Sequence, residues 1–277
     1  MFSNSHIIIG NNSKKTSGTM IMLENKIAIV TGGLQGMGLS IAEELTRQGA
    51  KVAVGSRQGD NQHASKAALK AVGDYGMVAA LNVQSSESVE EFVQKVRDTI
   101  GTPNIIVNAA GVSVHQTISG HSDSDWESVI DTNLNGPFRV IRACIDDMKK
   151  NKWGRIVNIA STAARTAAET HAAYCASKAG LVGMTKAIAI EGGPFGITCI
   201  AISPSWVETD MLRGSAQIQA QKAGRTIEEE ISLMAKSNPQ NRLIQSSEIA
   251  ALTAFCCSNA AAGLTMEDIQ VNAGALW

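Results

Sequence analysis

The sequence predicts an α/β protein in which helices cover both faces of a doubly wound parallel sheet. Two observations predict it. Short apolar runs alternate with helix-length stretches from Lys26 almost to the C-terminus, and the first run ends in a cluster of glycines. Strands buried on both faces read as continuous apolar runs, and parallel neighbours need a right-handed crossover between them, usually a helix. At 277 residues, with 44% hydrophobic and 18% charged side chains, the chain can bury a large core.

Taken in order, Lys26 to Thr31 is the first strand, followed by the glycine turn and a helix to Gln48 that Gly49 stops. Val52 to Gly55 is the second strand and Gln62 to Val72 a helix. Met77 to Asn82 is the third strand, Ser85 to Ile100 a helix, and Ile105 to Val107 the fourth strand. A long helix spans Asp123 to Asn151. Gly154 to Ala160 is the fifth strand, Ala172 to Glu191 a second long helix, and Gly196 to Ile202 the sixth strand. Residues 206–242 are a polar, helix-biased excursion. Ser247 to Ser258 is the last helix and Asp268 to Val271 the seventh strand. No repeat or composition break interrupts 22–277, so one domain is expected there. Residues 1–21, rich in Ser, Asn, Thr and Lys, read as a flexible tail without the long apolar core of a signal peptide.

Lys plus Arg number 24 and Asp plus Glu 25, a net charge of −1. That balance argues against nucleic acid or an anionic membrane as the main partner. No apolar stretch approaches the roughly 18–20 residues that span a bilayer. The five cysteines (Cys144, Cys175, Cys199, Cys256, Cys257) are odd in number and form no CxxC pair. They read as reduced thiols, which points to a cytoplasmic location. The five histidines show no metal-ligand spacing, and no metal site is expected.

Thr31-Gly32-Gly33-Leu34-Gln35-Gly36-Met37-Gly38 lies between the first strand and first helix. Gly32 lets the chain turn sharply, Gly36 lets backbone approach a pyrophosphate, and Gly38 permits close packing. The helix N-terminus then offers unpaired N–H groups and positive potential to phosphates. This placement makes the sheet Rossmann-like.

The TGxxxGxG turn resembles the cofactor turn of the short-chain dehydrogenase/reductase family. Further features resemble that family in the same order: Asn108-Ala109-Ala110-Gly111, Asn133, Ser161, Tyr174 with Lys178, and Ser203-Pro204-Ser205-Trp206-Val207-Glu208-Thr209. The resemblance covers 23–277 and implies an oxidoreductase that moves a hydride between a nicotinamide cofactor and a secondary alcohol or ketone. It implies cofactor contacts from Gly32, Leu34, Gln35, Gly36, Met37, Gly38, Ser56, Arg57, Asn82, Val83, Asn108, Ala109, Gly111, Tyr174, Lys178, Pro204, Val207 and Thr209. It also implies a catalytic set of Asn133, Ser161, Tyr174 and Lys178. Any one of these residues alone has an ordinary structural reading; their joint order carries the assignment.

Tyr174 and Lys178 are four apart on a helix and share a face. A free phenol titrates near about 10, and an adjacent ammonium is expected to lower that value. Ser161 is expected to hold the substrate oxygen while Tyr174 takes or gives its proton. By resemblance, Lys178 also bonds the nicotinamide ribose, and Asn133 holds a water that links Lys178 to solvent.

The sequence departs from the family pattern at Ala109, at Ser205 where a glycine is usual, at Asn82 where an aspartate is common, and at Asn272-Ala273. None of these removes a reacting group. Ser56 and Arg57 follow the second strand where an aspartate would select NAD(H); a hydroxyl and a guanidinium suit a 2′-phosphate, so NADP(H) is favoured over NAD(H). Asp60 and Gln35 pull against that preference. Ser113, Ser161, Ala163, His171, Tyr174, Trp206 and Met211 are the candidate substrate wall, under a lid at 206–242 that resembles the one in hydroxybutyrate dehydrogenases. Two other readings remain open, a hydroxy-acid dehydrogenase and a catalytically silent dinucleotide-binding regulator. Small residues on the second long helix (Ala179, Gly180, Gly183, Ala187, Ala189), together with the resemblance, suggest a homotetramer.

Overall fold

Parallel pairing alone builds the sheet. In the computed structural model, which describes residues 22–275, seven strands lie in the order β3-β2-β1-β4-β5-β6-β7. They are β1 (Ile27–Thr31), β2 (Lys51–Ser56), β3 (Met77–Ala80), β4 (Ile105–Asn108), β5 (Gly154–Ile159), β6 (Ile197–Pro204) and β7 (Asp268–Val271). The expected tail at 1–21 lies outside the described residues. Alternate strand side chains feed two cores. Val30, Val54, Val107, Val157 and Ile202 face α1 (Gly36–Arg47), α2 (Gln62–Val72) and α9 (Ser246–Cys257). Ile29, Ala53, Ile106, Ile156 and Cys199 face α3 (Ser86–Thr99), α5 (Gly136–Asn151) and α6 (Ala172–Gly192). Both faces are therefore apolar, as a wholly parallel sheet requires.

The strand order reverses at β1, whose neighbours are β2 and β4, so the crevice between their carboxyl ends is the expected ligand position. Thr31 and Asn108 are in register there. Gly32 has φ +70°, and a Cβ on it would sit 2.7 Å from the Ala110 Cα. A Cβ on Gly38 would sit 2.5 Å from the Gly32 carbonyl oxygen. These two glycines let the turn close onto itself and onto the end of β4.

The long helix expected over 123–151 is not uniform. It divides into α4 (Asp123–Ile130), a π turn over Asp131–Asn135, and α5. The Gly136 N–H reaches back to the Asp131 carbonyl, and Pro137 has no N–H to give Asn133. Residues 206–242 fold as α7 (Asp210–Ala223) and α8 (Ile227–Lys236), which share a small core of Leu212, Ala216 and Met234 with Trp206.

Asn108 does not face the crevice. Its side chain is buried and donates to Asn158 Oδ1 on β5 at 2.8 Å; Asn158 donates in turn to Thr185 Oγ1 on α6 at 2.9 Å. The assignment of Asn108 to cofactor binding is corrected accordingly: its position at the end of β4 turns it toward α6. Replacing Asn158 with Ala leaves the Asn108 amide without its partner in an apolar core, while Thr185 keeps its bond to the Leu181 carbonyl, and should cost about 2–4 kcal/mol. Urea denaturation measures this, and a loss below about 0.5 kcal/mol would show the chain of bonds to be dispensable.

Candidate active site

The segments leaving the carboxyl ends of the strands line two adjoining cavities. The larger is a groove of about 820 Å³. It is lined by Gly32, Leu34, Gln35, Gly36, Met37 and Gly38 after β1, Ser56 and Arg57 at the end of β2, Asn82 and Val83 after β3, Ala109 and Gly111 after β4, and Thr209 before α7. The smaller, about 130 Å³, is lined by Ser113, Ser161, Ala163, His171, Tyr174, Trp206 and Met211. Pro204 and Val207, expected beside the cofactor, line this smaller pocket instead. Met37, Thr209 and Met211 belong to both walls, so the groove opens directly onto Ser161 and Tyr174.

The groove fits a dinucleotide on its own chemistry. Gln35, at the N-cap of the 12-residue α1, gives no side-chain cap, and no acidic residue occupies the first turn. The N–H groups of that turn and the positive end of the helix are left to an anion. Arg57 is exposed on the groove wall beside Ser56. Asp60, which weighed against a 2′-phosphate, has its carboxylate on the Ala80 N–H at 2.9 Å and is absent from the wall. Asn82 turns its Oδ1 to the Gln84 N–H at 3.2 Å, a local turn bond.

Asn133 is fully buried and acts as a clamp. Its Oδ1 accepts from the Val112 N–H at 2.9 Å, its Nδ2 donates to the Val112 carbonyl at 2.9 Å, and the same nitrogen donates to Ser177 Oγ at 3.1 Å. Ser177 donates to the Tyr174 carbonyl at 2.7 Å. The π turn, the loop after β4 and α6 are thereby held in one arrangement. Lys178, on the turn of α6 after Tyr174, is buried and donates to the Ile159 carbonyl at 2.8 Å. Ser161 accepts from the Ala163 N–H at 3.1 Å, which leaves its own proton to donate.

Burial decides the titration of the pair. It pushes the Tyr174 phenol above its ordinary value, while the Ser161 hydrogen bond pulls the other way. It brings Lys178 down to about 8. The expected lowering of Tyr174 by a facing ammonium is therefore corrected. Lys178 Nζ lies 5.6 Å from the phenol ring centroid and is turned to a backbone carbonyl, and loss of water dominates. Tyr174 is thus a phenol at neutral pH, an acid with a proton to give.

Ser215, Thr166, Ala167 and Ala168, which no sequence motif marks, also line the smaller pocket. His115 meets Ser215 through its Nε2 at 3.2 Å and stands edge-on to His171 with ring centroids 4.1 Å apart. No motif marks these positions; only the placement of α7 over the loop after β4 brings them together.

Comparison with known proteins agrees with this geometry. The family model described as short chain dehydrogenase matches residues 26–220. The chain is 35% identical over 252 residues to the 3-oxoacyl-(acyl-carrier-protein) reductase FabG of Pseudomonas aeruginosa, covering 91% of this chain and 98% of that one. It is 37% identical over 255 residues to the Escherichia coli K12 reductase of the same name, covering 91% and 97%. A crystal structure of an actinorhodin polyketide ketoreductase variant with NADPH superposes with a TM-score of 0.86 at 32% identity, covering 90% of this chain and 97% of that one.

The lowered Lys178 value makes a stability prediction. Folding disfavours its charged form, so the unfolded chain binds the extra proton between about pH 8 and 10.5 and stability from this group rises across that window. The stability difference between the native chain and Lys178→Met, read from urea melts, should shift in favour of the native chain as pH rises from 7.5 to 10. A difference independent of pH would place Lys178 in a solvated position.

Proposed function

The chain belongs to the short-chain dehydrogenase family, and from that premise we propose that it is an NADPH-dependent ketoreductase. One observation carries the reading: the groove opens, through the shared Met37, Thr209 and Met211, onto a pocket that holds Ser161 and Tyr174 side by side with it. A group that keeps its proton at neutral pH suits reduction, where the carbonyl oxygen must receive one. The names of the relatives, all reductases, support the same direction.

In this reading the α1 N-terminus binds the pyrophosphate and Arg57 with Ser56 the 2′-phosphate. The dinucleotide, when bound, supplies the hydride. Ser161 donates a hydrogen bond to the ketone oxygen and orients the carbonyl toward the groove. Tyr174 gives its proton to that oxygen as the carbon is reduced, leaving an alcohol. Lys178 restores the proton to Tyr174, and the Asn133 carbonyl, which Pro137 has no N–H to occupy, holds the water that resupplies Lys178. The pocket walls of Ala163, Ala167, Ala168, Trp206 and Met211 keep bulk water from the reacting carbon.

We further propose that the chain assembles as a homotetramer. Ala179, Gly183, Ala187 and Ile190 form an exposed stripe on α6, with Ile190 65% exposed. Ala189 is buried and Gly180 faces Leu134, so these two belong to the interior rather than to the stripe. Light scattering should give four copies per particle, and Ile190→Glu should lower that number; a native monomer at micromolar concentration refutes the assembly.

Purified protein should oxidise NADPH in the presence of ketones, with 3-oxoacyl thioesters included in the panel. Tyr174→Phe should lower kcat by about 10²–10⁴-fold while NADPH still binds with native affinity. Near-native turnover in that variant sinks the mechanism. Arg57→Ala should weaken NADPH by about 1.5–3 kcal/mol and leave NADH nearly unchanged. Equal losses for both dinucleotides, by titration calorimetry, would place Arg57 on the adenine instead.

A further inference from the structure

The smaller pocket has polar groups that the reduction does not use. Ser113 Oγ is buried on its wall without a hydrogen-bond partner. His171 Nδ1 lies 2.8 Å from the Glu169 carbonyl oxygen, which can only accept, so the proton of a neutral ring is on Nδ1 and Nε2 carries a lone pair. The rest of the wall beyond Ser161 and Tyr174 is Ala, Met, Trp, Val, Leu and Pro together with hydroxyl residues, of which Thr166, Ser205, Thr209 and Ser215 already have protein partners. A free hydroxyl donor and a free ring acceptor therefore stand in a cavity of about 130 Å³ beside the reacting groups.

This second polar pole is held in place from three sides. His115, in the loop after β4, packs edge-on to His171 and meets Ser215 of the lid helix α7. The Gln116 N–H donates to the Thr170 carbonyl at 3.0 Å, tying the same loop to the residue before His171. Thr170 has φ +67°, a left-handed conformation that a β-branched residue adopts only when its surroundings impose it. Burial, with the neighbouring His171 and Lys222, holds His115 down to about 4, so at neutral pH it adds no positive charge for a carboxylate. The ring centroids of His171 and Tyr174 are 6.4 Å apart, so the imidazole and the phenol line the same small pocket.

We propose that Ser113 and His171 form a subsite for a hydroxyl group on the substrate, with His115 as the residue that positions it, so that the enzyme prefers hydroxyketones. A hydroxyl both accepts, here from Ser113, and donates, here to His171 Nε2. A carbonyl or ether oxygen satisfies only Ser113, and an alkyl group satisfies neither and strands both. The subsite deepens the ketoreductase reading and rests on it.

The test is a matched series of ketones of one skeleton carrying hydroxyl, methoxyl or ethyl at the same carbon, reduced with NADPH by the full chain. Native enzyme should give kcat/KM in the order hydroxyl, methoxyl, ethyl, with about tenfold or more between the first and last. The difference should lie mainly in KM. His171→Phe should abolish the advantage of hydroxyl over methoxyl, and Ser113→Ala that of methoxyl over ethyl. His115→Phe, which keeps the ring packing but loses the Ser215 bond, should shrink the hydroxyl preference, and His115→Gln should restore part of it. Ketone reduction with equal kcat/KM across the series overturns the subsite while leaving the ketoreductase reading standing. No reduction of any ketone overturns that reading first.

Discussion

Asn133 is the joint on which the site depends. One buried amide pairs with both backbone groups of Val112 and with the Ser177 hydroxyl, so it fixes the loop after β4 against the helix that carries Tyr174 and Lys178. An amide that uses its oxygen and its nitrogen in this way tolerates almost no displacement, since any shift leaves a polar group unpaired away from water. The π turn around Asn133 follows from that demand. A regular helix through Asp131–Asn135 would rotate the side chain along its length, whereas the widened turn and the proline after it let Asn133 point into the loop.

The electrostatics of the pair work by exclusion of water rather than by mutual charge. Both Tyr174 and Lys178 are pushed toward their neutral forms by burial. That is unfavourable for folding and favourable for a step in which a phenol must hold its proton until a carbonyl oxygen is ready to take it. The lysine remains near enough to neutral pH to exchange protons in either direction, which a fully solvated lysine does poorly.

Much of this was legible in the residues. The bounds of Gln62–Val72 are written in the residues, since Asn61 caps its start and Gly73 ends it, and those of Asp268–Val271 in its isolation between turns. The wall residues expected from Ser113 to Met211 all line the smaller pocket. The misreadings have physical causes. Apolar periodicity runs unbroken through 123–151, and only Gly136-Pro137 hinted at a change of helix type. Asn108 was placed by its motif, but strand alternation turns it to the face shared with Ile106, toward Thr185. Spacing reveals the lysine near Tyr174 and not the removal of solvent that raises the phenol. Ser215 and His115 are 100 positions apart, and nothing local connects them.

The side chains shared by the two cavities have a thermodynamic consequence. Met37, Thr209 and Met211 cannot adjust to an occupant of the groove without altering the wall met by an occupant of the pocket. Thr209 also caps the first turn of α7, so its movement is transmitted to the lid that bears Ser215. If the chain is the ketoreductase proposed, its two ligands are therefore linked: whatever factor the dinucleotide contributes to the affinity for ketone, the ketone returns to the dinucleotide. On that proposed reaction, retention of the oxidised dinucleotide after turnover depends on how soon the alcohol departs, and pocket substitutions far from any phosphate will register as changes in the cofactor's residence time.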